Sequence, residues 1–94
     1  ALEALVKLPN LTHLNLSCNC IASLPPCLSR LKALRHLDLS SNYIEELPEC
    51  ISEMEDLRGL NLSFNRLTCL PESISHLKQL KLLILVGNSI EKLP

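Results

Sequence analysis

Two histidines and two cysteines lie close enough in this sequence to form a candidate metal site or catalytic site. They are His13, Cys18, Cys20 and His36. Structural zinc needs ligands that converge tetrahedrally, usually with about two to four residues between paired cysteines. One residue separates Cys18 from Cys20, and side chains at that spacing around a turn need not converge. We therefore expect no metal and no cofactor, and interpret both histidines as exposed residues.

Cysteine catalysis is the second chemistry that these residues could perform. A nucleophilic thiol needs a base within hydrogen-bond reach and a further group that orients the base. Cys18 beside His13 or His36 is the one candidate pair, and the sequence has no glycine-rich phosphate loop. Because nothing implies a deep pocket, an oxyanion site or the exclusion of water, we do not expect an enzyme.

A 23-residue repeat organises the whole chain and must position any functional side chain. Its clearest copy runs from Leu34 to Asp56, and a shift of 23 residues in either direction returns the same apolar pattern. In that copy the pattern comprises Leu34, Leu37, Leu39, Asn42, Ile44, Leu47, Pro48, Ile51 and Met54. We assign full repeats to residues 11–33, 34–56 and 57–79, and partial repeats to 1–10 and 80–94. We expect residues 1–94 to be one piece of a longer array.

Two periodicities alternate within each repeat and predict its local structure. Leu14 and Leu16 alternate with polar residues, which is the period-two pattern of a short strand. Leu28, Leu31 and Leu34 follow a proline at three-residue steps, which suits a 3₁₀ or short helical turn. Because one repeat cannot bury its own leucines, successive repeats must stack, with their strands about 4.8 Å apart in a parallel sheet.

The repeated pattern L-x-x-L-x-L-x-x-N-x-[IL]-x-x-L-P-x-x-[IL]-x-x-L resembles the leucine-rich repeat family across essentially all 94 residues. The resemblance implies an α/β fold, a right-handed solenoid with a parallel sheet on the concave face and short helical or 3₁₀ returns on the convex face. It also implies that the asparagine, Asn19 in the first full repeat, is buried and hydrogen-bonds the backbone in a ladder between repeats. Similar repeats occur in Ras-effector scaffolds, Scribble/Erbin-like polarity proteins and death-domain scaffolds.

Composition narrows the class of partner. Apolar residues make up 47% of the chain and aromatic residues only 2%, so the core must be built from leucine and isoleucine. A net charge of −1 gives no reason to expect nucleic acid or an anionic membrane as a partner. No apolar run approaches the roughly 20 residues that span a bilayer, and no targeting segment is visible, so we expect no membrane insertion.

Cysteine usage favours a cytoplasmic protein. The five cysteines are odd in number and scattered, which indicates free thiols in a reducing compartment. Cys27 and Cys50 are stacked in neighbouring repeats, but parallel side chains would strain a disulfide dihedral. Sequons at Asn10, Asn15 and Asn61 point instead to secretion, although the repeat itself accounts for Asn-Leu-Ser.

The outward positions of the strands form columns of equivalent residues, and the fourth repeat departs from the rest. The middle columns are polar in the first three repeats, whereas the fourth carries Leu82, Ile84 and Val86, with Phe64 beside them. Such an apolar patch marks a partner site or is covered by a neighbouring segment of the parent chain. The partner-site residues that we predict are Arg35, Asp38, Arg58, Phe64, Lys81, Leu82, Ile84 and Val86.

Charge is unevenly distributed over the repeats. Arg35, Arg58 and Lys81 form a basic edge beside the strands that could receive an acidic partner. Residues 34–56 hold seven acidic residues against one arginine, a net charge of −6. We interpret this acidic convex side as a solvated outer face, and a docking patch for a basic partner is the alternative.

Together these features predict a protein-interaction module that binds a protein partner through its concave face, within a larger intracellular signalling scaffold. Uncapped ends would also favour self-association. One alternative is a structural spacer inside a larger kinase, GTPase or death-domain protein. Another is a fragment of a secreted receptor, which a glycan on Asn15 or Asn61 would indicate.

Overall fold

Four short parallel strands form a single sheet in the computed structural model, which describes residues 10–24, 28 and 30–91. The strands, adjacent in chain order, are β1 (His13–Asn15), β2 (His36–Asp38), β3 (Gly59–Asn61) and β4 (Leu82–Ile84). Each residue pairs with the residue 23 positions later, so Leu14, Leu37, Leu60 and Leu83 stand in one row. The predicted sheet and its register are confirmed.

Short 3₁₀ helices carry the chain back between strands. They span Glu49–Glu53 and Glu72–His76, and each turns one isoleucine into the core. Pro48 and Pro71 lie immediately before them in extended conformation, and the Pro48 carbonyl accepts a hydrogen bond from the Ile51 N–H (3.1 Å). In the corresponding return of the first repeat, residues 25–27 and 29, which include Pro25 and Cys27, lie outside the described residues. So do most of residues 1–10 and the last three residues.

The core lies between the strands and the 3₁₀ helices and consists of the repeated apolar positions. In the leucine row, Leu37 and Leu60 are buried, while Leu14 and Leu83 are partly buried. The two inner leucines have a described repeat on both sides, so neighbours cover them completely. The buried apolar residues of the three full repeats are Leu24, Leu28, Leu31, Leu34, Leu37, Leu39, Ile44, Leu47, Ile51, Met54, Leu57, Leu60, Leu62, Leu67, Leu70, Ile74 and Leu77.

Asparagine side chains join neighbouring repeats through the backbone. Asn42 is buried, and its Nδ2 donates to the carbonyls of Leu16 (3.0 Å) and Leu39 (2.9 Å). Its Oδ1 accepts from the N–H groups of Asn19 (3.0 Å) and Ile21 (2.9 Å). Nδ2 also donates to the Ser40 carbonyl (3.1 Å), so one side chain satisfies five backbone groups from two repeats, which offsets the cost of burying them.

The ladder continues at Asn65 and Asn88 but differs at Asn19. Asn65 Oδ1 accepts from the Ile44 N–H and Asn88 Oδ1 accepts from the Leu67 N–H, both at 3.0 Å. Our prediction that Asn19 is buried is wrong: it is exposed, and its Nδ2 donates to the Ser17 carbonyl (3.1 Å). A buried asparagine of the ladder reaches the strand of the preceding repeat. For Asn19 the equivalent carbonyl would lie 26 residues earlier, before the first residue of the sequence, and β1 is the edge strand of the described sheet.

Candidate functional site

An open groove of about 390 Å³ crosses all four strands on the exposed side of the sheet, which we call the strand face. Alternate residues of each strand point into it because side chains alternate between the two faces of a sheet. The outward-pointing residues that line the groove are His13, Asn15, His36, Asp38, Gly59, Asn61, Leu82 and Ile84. Three of the predicted partner-site residues, Asp38, Leu82 and Ile84, therefore share one groove.

In each of the first three repeats, a serine hydrogen-bonds to the Asx residue two positions before it, in the middle of the strand face. Asp38 Oδ1 accepts from both the N–H (2.9 Å) and the Oγ (2.7 Å) of Ser40. The same pair of hydrogen bonds joins Ser17 to Asn15 and Ser63 to Asn61. These pairs were not predicted from the sequence, although an Asx residue two positions before a serine is a known local turn pattern.

The fourth repeat replaces this polar pair with Ile84 and Val86. Val86 is 63% exposed, Leu82 is 57% exposed and Ile84 is half-buried. Phe64 lies in the preceding repeat, at the position equivalent to Gly87, and is 60% exposed. The β4 end of the strand face therefore carries four apolar side chains, which are those of Phe64, Leu82, Ile84 and Val86.

The residue before each ladder asparagine adopts a left-handed backbone conformation. The φ angles are 59° at Cys18, 57° at Ser41, 56° at Phe64 and 76° at Gly87. This region costs a residue with a Cβ about 1–2 kcal/mol, and a bulky side chain is rarely found there. The sequence did not predict this conformation, because Gly87 is the one residue of the four whose type favours a positive φ.

Basic side chains immediately precede three of the strands, beside the groove and outside the residues that line it. Arg35, Arg58 and Lys81 are exposed, and each of the last two donates its backbone N–H to the carbonyl of the one before (2.8 Å). Among the described residues, an ion pair joins Lys32 Nζ to Glu53 Oε1 (3.7 Å), away from the strands. No described acidic side chain therefore lies within ion-pair distance of these three cations.

The two histidines stack on each other and do not converge with the cysteines. The ring centroids of His13 and His36 are 4.5 Å apart, with an angle of 26° between the planes. The His36 ring also covers Gly59, where a Cβ would lie 2.8 Å from His36 Nδ1. Within the described residues, no three His, Cys, Asp or Glu side chains are arranged to hold a metal ion.

The single tyrosine of the chain forms a cation–π contact that the sequence analysis did not predict. The guanidinium carbon of Arg66 lies 4.6 Å from the centroid of the Tyr43 ring, and Tyr43 is 46% exposed. Tyr43 follows Asn42, and Arg66 follows Asn65 one repeat later. The contact therefore lies beyond the ends of the strands, beside the left-handed positions.

Other surface groups lie where the sequence placed them. Cys18, Cys20 and Cys69 are exposed free thiols, and pairing of Cys27 with Cys50 falls outside the described residues. The acidic residues Glu45, Glu46, Glu49, Glu53, Glu55 and Asp56 are exposed. No described helix has the length and apolar character that crossing a membrane requires.

Comparisons with known proteins agree with this architecture. A family model of two leucine-rich repeat copies matches residues 9–51, and a second leucine-rich repeat model matches residues 47–90. A leucine-rich repeat protein of Leptospira interrogans has a TM-score of 0.95 and 37% sequence identity, covering 98% of this chain and 24% of that protein's chain. An internalin from Listeria monocytogenes has a TM-score of 0.83 and 28% identity, covering 98% of this chain and 27% of its own. No curated protein matches the sequence.

The chain spans about a quarter of the length of both solved proteins. The two family models together cover most of the sequence, and the residues that they match include all four strands. The asparagine ladder and the parallel sheet follow the same 23-residue repeat. The chain belongs to the leucine-rich repeat family.

Proposed function

We propose that this chain binds a protein partner through its strand face, the concave side of the solenoid. Phe64, Leu82, Ile84 and Val86 are the apolar anchors of that interface, and Arg35, Arg58 and Lys81 are its charged edge. Leucine-rich repeat domains generally mediate protein–protein interactions, and stacked repeats use their extended concave surfaces for binding.

The observation that carries the proposal is the change of chemistry between the third and fourth repeats. Asn61 and Ser63 satisfy each other with hydrogen bonds, whereas Ile84 and Val86 at the same positions are apolar and expose surface to solvent. A stack needs no apolar residue there, because three repeats form the same strand without one. Exposed apolar patches with a polar rim are typical of partner sites.

The proposal extends to an intracellular signalling scaffold in a reducing compartment. Cys18, Cys20 and Cys69 are exposed thiols, which an oxidising environment would pair or modify. A glycan on Asn61 would lie in the groove, against the proposed contact surface. Both observations support a cytoplasmic location over secretion.

The test compares partner retention by the wild-type chain with retention by two variants. Leu82→Asp combined with Ile84→Asp introduces charge into the apolar patch. Ile84→Asn combined with Val86→Ser converts the fourth repeat to the Asn–Ser pair of the third, which preserves a geometry that this fold already uses. Proteins retained from an extract of the source cells are identified by mass spectrometry, and circular dichroism checks folding.

We expect both variants to fold and to lose a partner that the wild-type chain retains. Glu46→Lys, on the exposed acidic side, serves as the control and should retain it. A partner held equally by the folded Asn–Ser variant would overturn the proposal and leave the structural spacer as the better interpretation.

A further inference from the structure

The basic edge beside the strands carries three cations that form no ion pair with a described acidic side chain. Arg35, Arg58 and Lys81 occupy one column, and their backbones are joined by hydrogen bonds of 2.8 Å. Neighbouring strands are about 4.8 Å apart, and like charges directly opposite each other on a sheet are destabilising. An anionic partner placed along this column would relieve that repulsion.

The apolar patch begins at the end of the same column. Leu82 follows Lys81 directly and is 57% exposed, and Ile84 lies further along the same strand in the groove. Asp38, in the middle of the strand face, disfavours a carboxylate of the partner at that point. A complementary partner therefore has a row of acidic residues and, beside one end of that row, apolar residues that meet Leu82 and Ile84.

The spacing of the cations selects the secondary structure of the partner. Arg35 and Lys81 are two strand spacings apart, about 9.6 Å. Residues i and i+7 of an α-helix are separated by about 10.5 Å along the axis, with i+3 or i+4 between them. Same-face residues of an extended strand recur about every 6.7 Å, so three of them span about 13 Å, which fits the column less well.

From this geometry we infer that the partner presents an amphipathic α-helix with carboxylates at i, i+3 or i+4, and i+7. The helix lies across the strands, with its acidic stripe along Arg35, Arg58 and Lys81 and apolar residues near one end in contact with Leu82 and Ile84. This inference rests on the proposed function and specifies the chemistry of the partner. Such a complex gains specificity from charge complementarity and an apolar anchor at one end.

Two synthetic peptides of identical composition test the inference. In the first, Glu residues recur at helical spacing beside a leucine stripe. In the second, the same residues alternate with period two. Fluorescence anisotropy measures the binding of each peptide to the wild-type chain, to Arg58→Glu and to Lys78→Glu. The last variant makes the same charge change at an exposed lysine beside a polar cleft formed by Ser52, Glu55 and His76, away from the strand face.

The wild-type chain should bind the helically spaced peptide at least about tenfold more tightly than the alternating one. Arg58→Glu should weaken that binding at least about tenfold, Lys78→Glu by less than about twofold, and added salt should weaken it progressively. Equal affinity for the two peptides, binding of neither, or equal effects of the two charge reversals would overturn the inference.

Retention of the natural partner by two variants distinguishes a failure of this inference from a failure of the proposed function. If the Asn–Ser variant of the fourth repeat loses the partner while Arg58→Glu retains it, the strand face is the binding surface and the acidic helix is wrong. If both variants retain the partner, both ideas fall.

Discussion

The ring of Phe64 lies directly over Gly87 in the next repeat. A Cβ built on Gly87 would be 2.5 Å from Cδ1 and 3.0 Å from Cε1 of Phe64, closer than non-bonded carbon atoms approach. The two residues are equivalent positions of successive repeats, and both have positive φ. The aromatic side chain at one repeat is therefore accommodated by the missing side chain at the next.

Replacing Gly87 with alanine should destabilise the chain for two reasons. The left-handed backbone costs about 1–2 kcal/mol for a residue with a Cβ, and the overlap with Phe64 adds about 1 kcal/mol more. Urea denaturation should thus show a loss of roughly 2–3 kcal/mol. In a Phe64→Ala background the same substitution should lose only the backbone part. An identical loss in both backgrounds would show that the ring does not cover Gly87.

Phe64→Asn should separate stability from binding. Asparagine tolerates the left-handed region better than phenylalanine, and this gain offsets the loss of the ring contact with Gly87. The free energy of unfolding should stay within about 1 kcal/mol of the wild-type value, because the ring is 60% exposed. Retention of the natural partner should fall. A variant that binds normally would remove Phe64 from the proposed interface.

Asn65→Ala should be among the most damaging substitutions in the chain. Asn65 Nδ2 donates to the carbonyls of Leu39 (2.9 Å) and Leu62 (3.0 Å), and its Oδ1 accepts from the Ile44 N–H. Removing the side chain leaves several buried backbone groups unpaired, at about 1–3 kcal/mol each.

Thermal and urea unfolding should therefore show a loss of about 3 kcal/mol or more for Asn65→Ala. Asn19→Ala is the matched control, because it removes the same residue type from the same repeat position. Asn19 is exposed, so its substitution should change stability by less than about 1 kcal/mol. Similar losses at both positions would mean that the ladder contributes little.

Gly59→Ala should disturb the histidine stack. The new Cβ would meet His36 Nδ1 at 2.8 Å and push the ring away from its contact with His13. His36 is exposed and can rotate, so we expect a cost of about 1 kcal/mol or less and a clear change in the histidine ring NMR signals. Adding His36→Ala should restore wild-type stability. If the ring signals do not move, His36 does not cover Gly59.

The repeat itself was readable from the sequence. Residues that recur every 23 positions must make equivalent contacts, so Leu37 and Leu60 had to share a row and Asn42 and Asn65 had to share a ladder. The repeat also predicts which residues are buried. Equivalent inward residues differ only in the number of neighbouring repeats that cover them, so Leu37 and Leu60 are more buried than Leu14 and Leu83. Asn19 was predicted wrongly for that reason: its type matched the ladder, but β1 is the edge of the described sheet and no preceding strand covers Asn19.

Contacts between neighbouring outward side chains were decided by the tertiary structure alone. Repeat position placed Phe64 and His36 on the surface, but it did not predict that they contact Gly87 and Gly59 one repeat away, or that Arg66 contacts Tyr43. Each contact depends on the direction in which a side chain leaves a backbone whose conformation the repeat pattern does not reveal, as the φ of 56° at Phe64 illustrates. Periodicity determines which residues face inward, whereas side-chain rotamers and stacking across 23 residues determine what the outward ones touch.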